Sequence, residues 1–145
     1  MYQPSSVLDR AACLVLMATH TLGRLVFTRQ ALPEVMPAEY HLDHENLLIR
    51  LAAGSPAALA AVDAVVAFEA DDFDPGSGTG WSVTVVGQAR EMPGDGSDAV
   101  TAAPAWGRGG GVVVLCLPAV RLTGHRMVVT SSDRRPSPRP DPHPV

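Results

Sequence analysis

The chain has 145 residues, 46% of them hydrophobic, and a formal net charge of −4, which suits a single domain with a substantial core. The negative charge disfavours sequence-independent binding to nucleic acid, because that binding needs a basic surface. All eleven Lys and Arg residues are arginine, and without lysine neither Schiff-base chemistry nor a Walker phosphate loop is available.

The cysteines and the hydropathy pattern bear on the compartment. Cys13 and Cys116 each lie within an apolar run, which predicts buried free thiols in a reducing environment. No apolar stretch reaches the ~18 residues of a membrane span, and no positively charged leader precedes a hydrophobic run. We therefore expect a cytoplasmic protein without a membrane partner.

The first half of the chain reads as one helix and three strands. Ser5 or Ser6 is a suitable N-cap for a helix over Val7–Thr19, whose apolar residues recur at helical spacing. Pro33 and Pro37 interrupt the second strand, which predicts an edge, a bulge or amides that do not all pair. The three predicted strands are Gly23–Thr28, Leu32–Leu42 and Leu47–Leu51.

The second half opens with a short helix, Pro56–Asp63, capped by Ser55 and with proline at its first position. Two strands then flank an acidic, glycine-rich connection, and the second of them alternates between two unlike faces. A helical turn over Asp98–Ala103 follows in a Gly/Pro-rich region. The four strands predicted in this half are Ala64–Ala70, Trp81–Glu91, Val112–Leu117 and Val120–Val129.

This element order predicts an α+β, mainly β fold: a six- to seven-stranded antiparallel split β-barrel with an N-terminal helix and a short helix after the third strand. We expect one domain over residues 1–130. Residues 131–145 are rich in arginine and proline and have no apolar residue before Val145. Such a segment buries too little surface to offset its ordering entropy, which predicts a disordered tail.

Several local patterns fall short of a catalytic or metal site. Asp71–Asp74 with Gly76 lacks the closing glutamate of a calcium loop. The glycines after it precede a strand and not a helix, which excludes a dinucleotide turn. His41 and His44 have no supporting third ligand, so no metal site is expected. No catalytic residue is identified, because neither cysteine nor any serine has a patterned His–acid partner.

Six stretches in order resemble the pyridoxamine 5′-phosphate oxidase-like family of flavin-binding split barrels. The match runs from about Leu8 to Met127. The resemblance implies a homodimer with two FMN sites at the subunit interface and a small-molecule substrate. The stretches are GRLVFT, the Pro-containing strand ending in Tyr40, LLIRLAAGS, AVVAFEADDFD, TGWSVTVVGQA and RLTGHRM.

The resemblance also implies which residues contact the cofactor. The isoalloxazine ring would be lined by Met36, Pro37, Ala38 and Tyr40. The phosphate would be approached by Arg50, Leu51, Gly54 and Ser55, and the ring edge by Trp81 and Ser82. Without the resemblance, Arg50 reads as a solvated charge, Ser55 as a helix cap and Trp81 as a core or interface aromatic.

The chain departs from the family pattern at three positions, two of them phosphate contacts and the third, a carboxylate, near the ring. It has Glu39 where relatives usually carry asparagine, Leu51 where they carry threonine, and Pro56 where they carry lysine or arginine. The helix start after Ser55 and the charge of Arg50 offer partial compensation. The departures leave room for weak FMN binding or for a deazaflavin.

The resulting hypothesis is an FMN-dependent oxidoreductase that passes hydride or electrons to a small planar substrate. The alternatives are a deazaflavin-dependent reductase and a non-catalytic split barrel that binds a flavin or tetrapyrrole. Absorbance of the isolated protein and turnover of an acceptor discriminate among them.

Overall fold

Strands dominate the part of the chain that the computed structural model describes, residues 2–92 and 111–129. The two helices are α1 (Arg10–Met17) and α2 (Pro56–Ala61). The nine strands are β1 (Tyr2–Val7), β2 (Leu22–Arg29), β3 (Leu32–Asp43), β4 (Asn46–Ala52), β5 (Val65–Asp74), β6 (Thr79–Gln88), β7 (Arg90–Glu91), β8 (Val112–Pro118) and β9 (Arg121–Val129). The predicted tail and the helical turn over Asp98–Ala103 lie outside the described residues.

All nine strands belong to one sheet in the order β1-β9-β6-β5-β2-β3-β4-β8-β7, and every neighbouring pair is antiparallel. The sheet curls into a half-barrel around the two helices. The mainly β, antiparallel prediction is therefore confirmed. The predicted count of six to seven strands is wrong, because β1 and β7 are additional.

The two additional strands have different origins. β1 occupies residues that were predicted to lead into the first helix, and it pairs with β9 from Tyr2↔Val129 to Val7↔His125. β7 was predicted as the end of one long strand. The chain leaves the β5 edge after Ala89, whose N–H donates to the Ala64 carbonyl, and Arg90–Glu91 then pairs with β8. Long-range pairing decides both cases, and local pattern does not encode it.

The N-terminal helix begins later than predicted. Ser5 and Ser6 lie in β1, and the N-cap is Asp9, whose Oδ1 accepts a hydrogen bond of 2.8 Å from the Ala12 amide. Asp is as good an N-cap as Ser. The prediction was wrong because the sequence has three potential N-caps close together: Ser5, Ser6 and Asp9. Ser5 and Ser6 belong to the strand that pairs with β9, which leaves Asp9 as the cap. The cap of the second helix, Ser55, is confirmed by the 3.2 Å bond that its Oγ accepts from the Ala58 amide.

The core lies on the concave face of the sheet. Alternate residues of each long strand point inward, and α1 and α2 contribute small or flexible side chains that fit between the curled strands. The largest fully buried residues of this core are Phe68, Met17, Leu25, Leu47, Ile49, Leu115 and Leu117. Neither described helix has the length and apolar character needed to cross a bilayer.

Candidate functional site

A split opens in the sheet between β3 and the end of β4. β3 pairs with β2 from Leu32 to Glu39, but with β4 only from Glu39 to Asp43. Beyond Arg50, β4 stays on β8 and runs into the start of α2. Within the described ranges, the 32–38 segment of β3 therefore has a neighbouring strand on one side only.

The direction of the β3 main chain follows from one hydrogen bond. The Tyr40 amide donates to the Thr21 carbonyl, 2.8 Å away on the β2 side. Because the main-chain groups of an antiparallel strand alternate in direction, the odd-numbered residues point away from β2. Val35 therefore directs both its N–H and its C=O into the split, and Pro33 and Pro37 direct their carbonyls there.

The same alternation explains why two prolines are tolerated within β3. An N–H at residue 33 or 37 would point into the split, where β3 has no partner strand. Proline at these two positions therefore removes no hydrogen bond from the β2–β3 ladder. From the sequence, these two prolines predicted an edge, a bulge or amides that do not all pair, and the structure shows an edge on the β4 side. Along residues 33–37, the edge of β3 presents one main-chain donor to the split, the Val35 N–H, among carbonyl acceptors.

Glu39 and Arg50 face each other at the mouth of the split, at the last paired step before the two strands part. Arg50 Nη1 lies 3.9 Å from Glu39 Oε2, and their side chains are only 18% and 14% exposed. Gly54 follows with φ of +77° and open space around its Cα. The predicted phosphate contacts Arg50, Gly54 and Ser55 are thus on the β4–α2 side of the split, with a carboxylate beside them.

Four other predicted contact residues point towards the core. Ala38, Tyr40 and Leu51 are buried, and Met36 packs against the core cluster. Their side chains are therefore withdrawn from a ligand on the outer face. Pro37, by contrast, is exposed on the outer face.

Tyr40 has a structural partner of its own. Its hydroxyl donates to the Met17 carbonyl at the end of α1, and its ring meets Phe68 edge-on with centroids 5.0 Å apart. Burial raises the pKa of Tyr40 to about 12.

Trp81 and Ser82, predicted together as ring-edge contacts, lie on opposite faces of β6 because successive side chains of a strand alternate. Trp81 is 8% exposed on the concave side, where His20 meets it edge-on at 5.2 Å. Ser82 points outward and donates a 3.1 Å bond to Glu69 Oε1. One ligand cannot contact both side chains from the same face of this strand.

A cavity of about 360 Å³ lies beside Trp81 at the end of the sheet. Its wall includes Asp72 and Arg126 from the strands on either side, and Asp72 Oδ2 is 3.3 Å from His20 Nε2. A second cavity, of about 520 Å³, lies at the opposite turns near Arg10 and Glu45. Apart from Trp81, neither is lined by a predicted cofactor residue.

An ionic cluster on the outer face was not predicted. Arg24 on β2 lies 2.6 Å from Glu69 and 2.8 Å from Asp71, with Ser82 completing the contacts of Glu69. Burial raises the pKa of Glu69, and the neighbouring Arg24 guanidinium opposes that shift. The sequence offered one signal for this cluster: Glu69 is the one charged residue within the predicted strand Ala64–Ala70.

Metal ligation has no support in the described ranges, where no three His, Cys, Asp or Glu side chains are arranged to hold an ion.

The curled antiparallel sheet with a split beside its third strand places the chain in the split-barrel class. The sequence matches the pyridoxamine 5′-phosphate oxidase family over residues 9–126. The chain belongs to that family, as the sequence resemblance predicted.

Individual relatives agree with this assignment. The chain is 47% identical over 91 residues to the uncharacterized protein Rv0080 of Mycobacterium tuberculosis, and the match spans 59% of each chain. The FAD binding protein from Mycobacterium smegmatis superimposes with a TM-score of 0.72 at 28% identity, covering 86% of this chain and 99% of that one. An FAD-binding protein from Mesorhizobium loti, at 18% identity, shares the fold with a TM-score of 0.65 over 89% and 99% of the two chains.

Proposed function

We propose that the chain is a flavin-dependent oxidoreductase that binds a flavin nucleotide in the split, at the interface of a homodimer. FMN is the cofactor implied by the sequence resemblance, and the FAD-binding relatives make FAD a second candidate. The single observation that carries the proposal is the unpaired main-chain edge of β3 at Val35.

That edge suits a flavin for a chemical reason. The pyrimidine part of an isoalloxazine carries an imide, in which an N–H lies between two carbonyls. Val35 offers a donor and an acceptor side by side, and Pro33 and Pro37 on the same edge add carbonyl acceptors only. An imide is complementary to that arrangement, and each such hydrogen bond contributes about 1 kcal/mol.

The other residues of the split would hold and shield the cofactor. Arg50 is the cation at its mouth and would pair with a phosphate oxygen. The Ser55 hydroxyl would donate a hydrogen bond to the phosphate, while the same oxygen accepts the bond from the Ala58 amide that caps α2. α2 closes the split from inside, because Ala57, Ala58 and Ala61 are buried in the core.

When bound, a flavin supplies hydride or electron transfer itself, and the protein supplies orientation and exclusion of water. This division of labour agrees with the few titratable side chains at the split, where Glu39 and Arg50 are paired with each other. No general acid or base has to be assigned to the chain.

The decisive experiment is a titration of the purified chain with FMN, FAD and a deazaflavin, followed by flavin fluorescence and absorbance. V35P removes the one donor from the split edge and leaves the β2 ladder intact, since that N–H points away from β2. We expect V35P to weaken flavin binding about tenfold, which corresponds to the loss of one hydrogen bond. V35A, which keeps the N–H and trims the side chain, is the matched control and should bind within about twofold of the wild type.

Two results would contradict the proposal. The first is a wild-type chain that titrates with none of the three cofactors. The second is equal binding by V35P and V35A, which would place the flavin elsewhere. A chain that binds flavin but reduces no acceptor under steady-state conditions would support the non-catalytic binding protein instead.

A further inference from the structure

The Glu39–Arg50 pair is an unexpected feature for a phosphate site, because its one cation already has a carboxylate partner. We infer that Glu39 selects the cofactor by the charge of its phosphate. The site accepts a flavin whose phosphate is singly charged, as each phosphate is in the diphosphate diester of FAD, in preference to the terminal phosphomonoester of FMN. This inference rests on the proposed function and deepens it.

The position of Glu39 makes it effective. It is directly opposite Arg50 in the β3–β4 register, and both side chains are more than four-fifths shielded from water. Its Oε2 lies 3.9 Å from the guanidinium, so an oxygen that binds Arg50 is also close to this carboxylate. Solvent screening is weak in such a setting, and repulsion between like charges is correspondingly strong.

The two phosphate classes differ in charge. A phosphomonoester carries about −1.5 to −2 charges near neutral pH, whereas each phosphate of a diester carries only one. Repulsion from Glu39 grows with the charge placed beside it. The second phosphate of FAD is covalently displaced from the first and can lie further from Glu39.

The surroundings of Arg50 add few further donors for a dianion. Leu51 is apolar and buried, and Pro56 has no N–H at the first position of α2. Ser55 contributes one hydroxyl proton. A monoester with three terminal oxygens would therefore remain under-satisfied, while a diester presents only two.

A structural cross-link between β3 and β4 is the competing explanation for the same pair. It predicts that loss of the carboxylate lowers stability and leaves cofactor preference unchanged. The two explanations separate when affinities for FMN, FAD and riboflavin are measured together. Riboflavin has no phosphate, so it reports the state of the ring site alone.

The experiment compares the wild type with E39Q, which keeps the shape and removes the charge. E34Q is the matched control: Glu34 is on the same strand and pairs with Arg29 at 2.8 Å, but it lies on the opposite face. We expect the wild type to bind FAD about tenfold more tightly than FMN. E39Q should tighten FMN about tenfold, FAD by less than about threefold, and riboflavin hardly at all.

Wild-type binding of FMN as tight as that of FAD would overturn the inference, and so would an FMN-to-FAD affinity ratio that is equal in E39Q and E34Q. Either result, with riboflavin binding intact, leaves the proposed flavin site standing. Absence of binding by all three flavins would overturn the proposed function and the role of Glu39 with it.

Discussion

At the scale of single residues, burial decides what a side chain can do. The family resemblance implies that Tyr40 lines the isoalloxazine ring, yet its hydroxyl is bonded to the Met17 carbonyl and the residue is 2% exposed. Its main structural role is to tie β3 to the end of α1. That role can be measured independently of any cofactor.

The raised pKa of Tyr40 predicts a loss of stability at high pH. An unfolded tyrosine titrates near 10, whereas burial raises the pKa of Tyr40 to about 12. As the pH rises, the Tyr40 hydroxyl therefore loses its proton first in the unfolded chain. The free energy of unfolding is unaffected below about pH 10 and falls by about 2–3 kcal/mol as the pH approaches 12. Urea unfolding at pH 9 and pH 11.5 measures the loss.

Y40F isolates this contribution. At pH 9 it should be about 1 kcal/mol less stable than the wild type, because the hydroxyl bond is lost. By pH 11.5 it should be at least as stable. No lysine titrates in this range, and Cys13 and Cys116, whose pKa values burial also raises, are common to both proteins. Parallel pH profiles for the two proteins would contradict the assignment.

Two glycines should respond differently to alanine. G54A places a Cβ in open space at φ of +77°, so its cost is the left-handed backbone alone, about 1 kcal/mol. G23A would place a Cβ 2.5 Å from Phe68 Cε1 and 2.6 Å from the Glu69 carbonyl, which forces β2 away from β5. We expect G23A to cost about 1–3 kcal/mol more than G54A in thermal unfolding. Equal losses of stability in G23A and G54A would show that β2 and β5 can separate at Gly23 more easily than these distances indicate.

At the scale of elements, the ends of strands and helices shape the site. β3 can leave β4 without losing its ladder to β2 because Pro33 and Pro37 have no N–H on the split side. β4 can leave β3 because β8 pairs with it along its whole length. The split is therefore a product of strand pairing, and α2 closes its inner side.

The start of α1 gives a prediction at this scale. Asp9 satisfies the Ala12 amide, and α1 buries Cys13 and Met17. D9A should lower the free energy of unfolding by about 1 kcal/mol, and D9S should restore most of it because serine is also a good N-cap. S5A and S6A, at the caps first predicted from sequence, should be nearly neutral. A larger loss of stability in S6A than in D9A would contradict Asp9 as the N-cap and would support the helix start predicted from sequence.

At the scale of the whole molecule, the outer face of the sheet is suited to a second copy. A row of apolar side chains crosses four adjacent strands: Val35, Val26, Ala67 and Val86. Val35 is 63% exposed and the nearby Val65 is 69% exposed. Burial of such a row between two chains is favourable, which supports the proposed homodimer.

The dimer has a direct test in light scattering after size exclusion. We expect the wild type at twice the 15.2 kDa chain mass. A67R puts a charge and added bulk in the centre of the apolar row and should yield monomers. V120R, at a residue 83% exposed in the turn between β8 and β9 and off this row, should remain dimeric. A monomeric wild type, or a dimeric A67R, would contradict the proposed interface.

The sequence by itself determined the features that depend on neighbouring residues. Short apolar runs, and in β6 alternation, identified β2 to β6, β8 and β9 to within a few residues. Ser55 and Pro56 marked the start of α2, and the two prolines marked an incompletely paired edge. The ordered stretches identified the family. Each of these signals acts over a turn of helix or a few strand residues, so no distant contact was needed to recognise it.

Tertiary structure alone decided which residues meet. Pairing with β9 turned Ser5 and Ser6 into strand residues, and pairing with β8 made Arg90–Glu91 a separate strand. Alternation already separates the side chains of Trp81 and Ser82, which the family resemblance had grouped, but only the fold shows that Trp81 is on the concave face. Glu39 and Arg50 are eleven positions apart and become partners only because the β3–β4 hairpin sets their register. Contacts of this kind come from long-range strand pairing, and a local pattern carries no record of them.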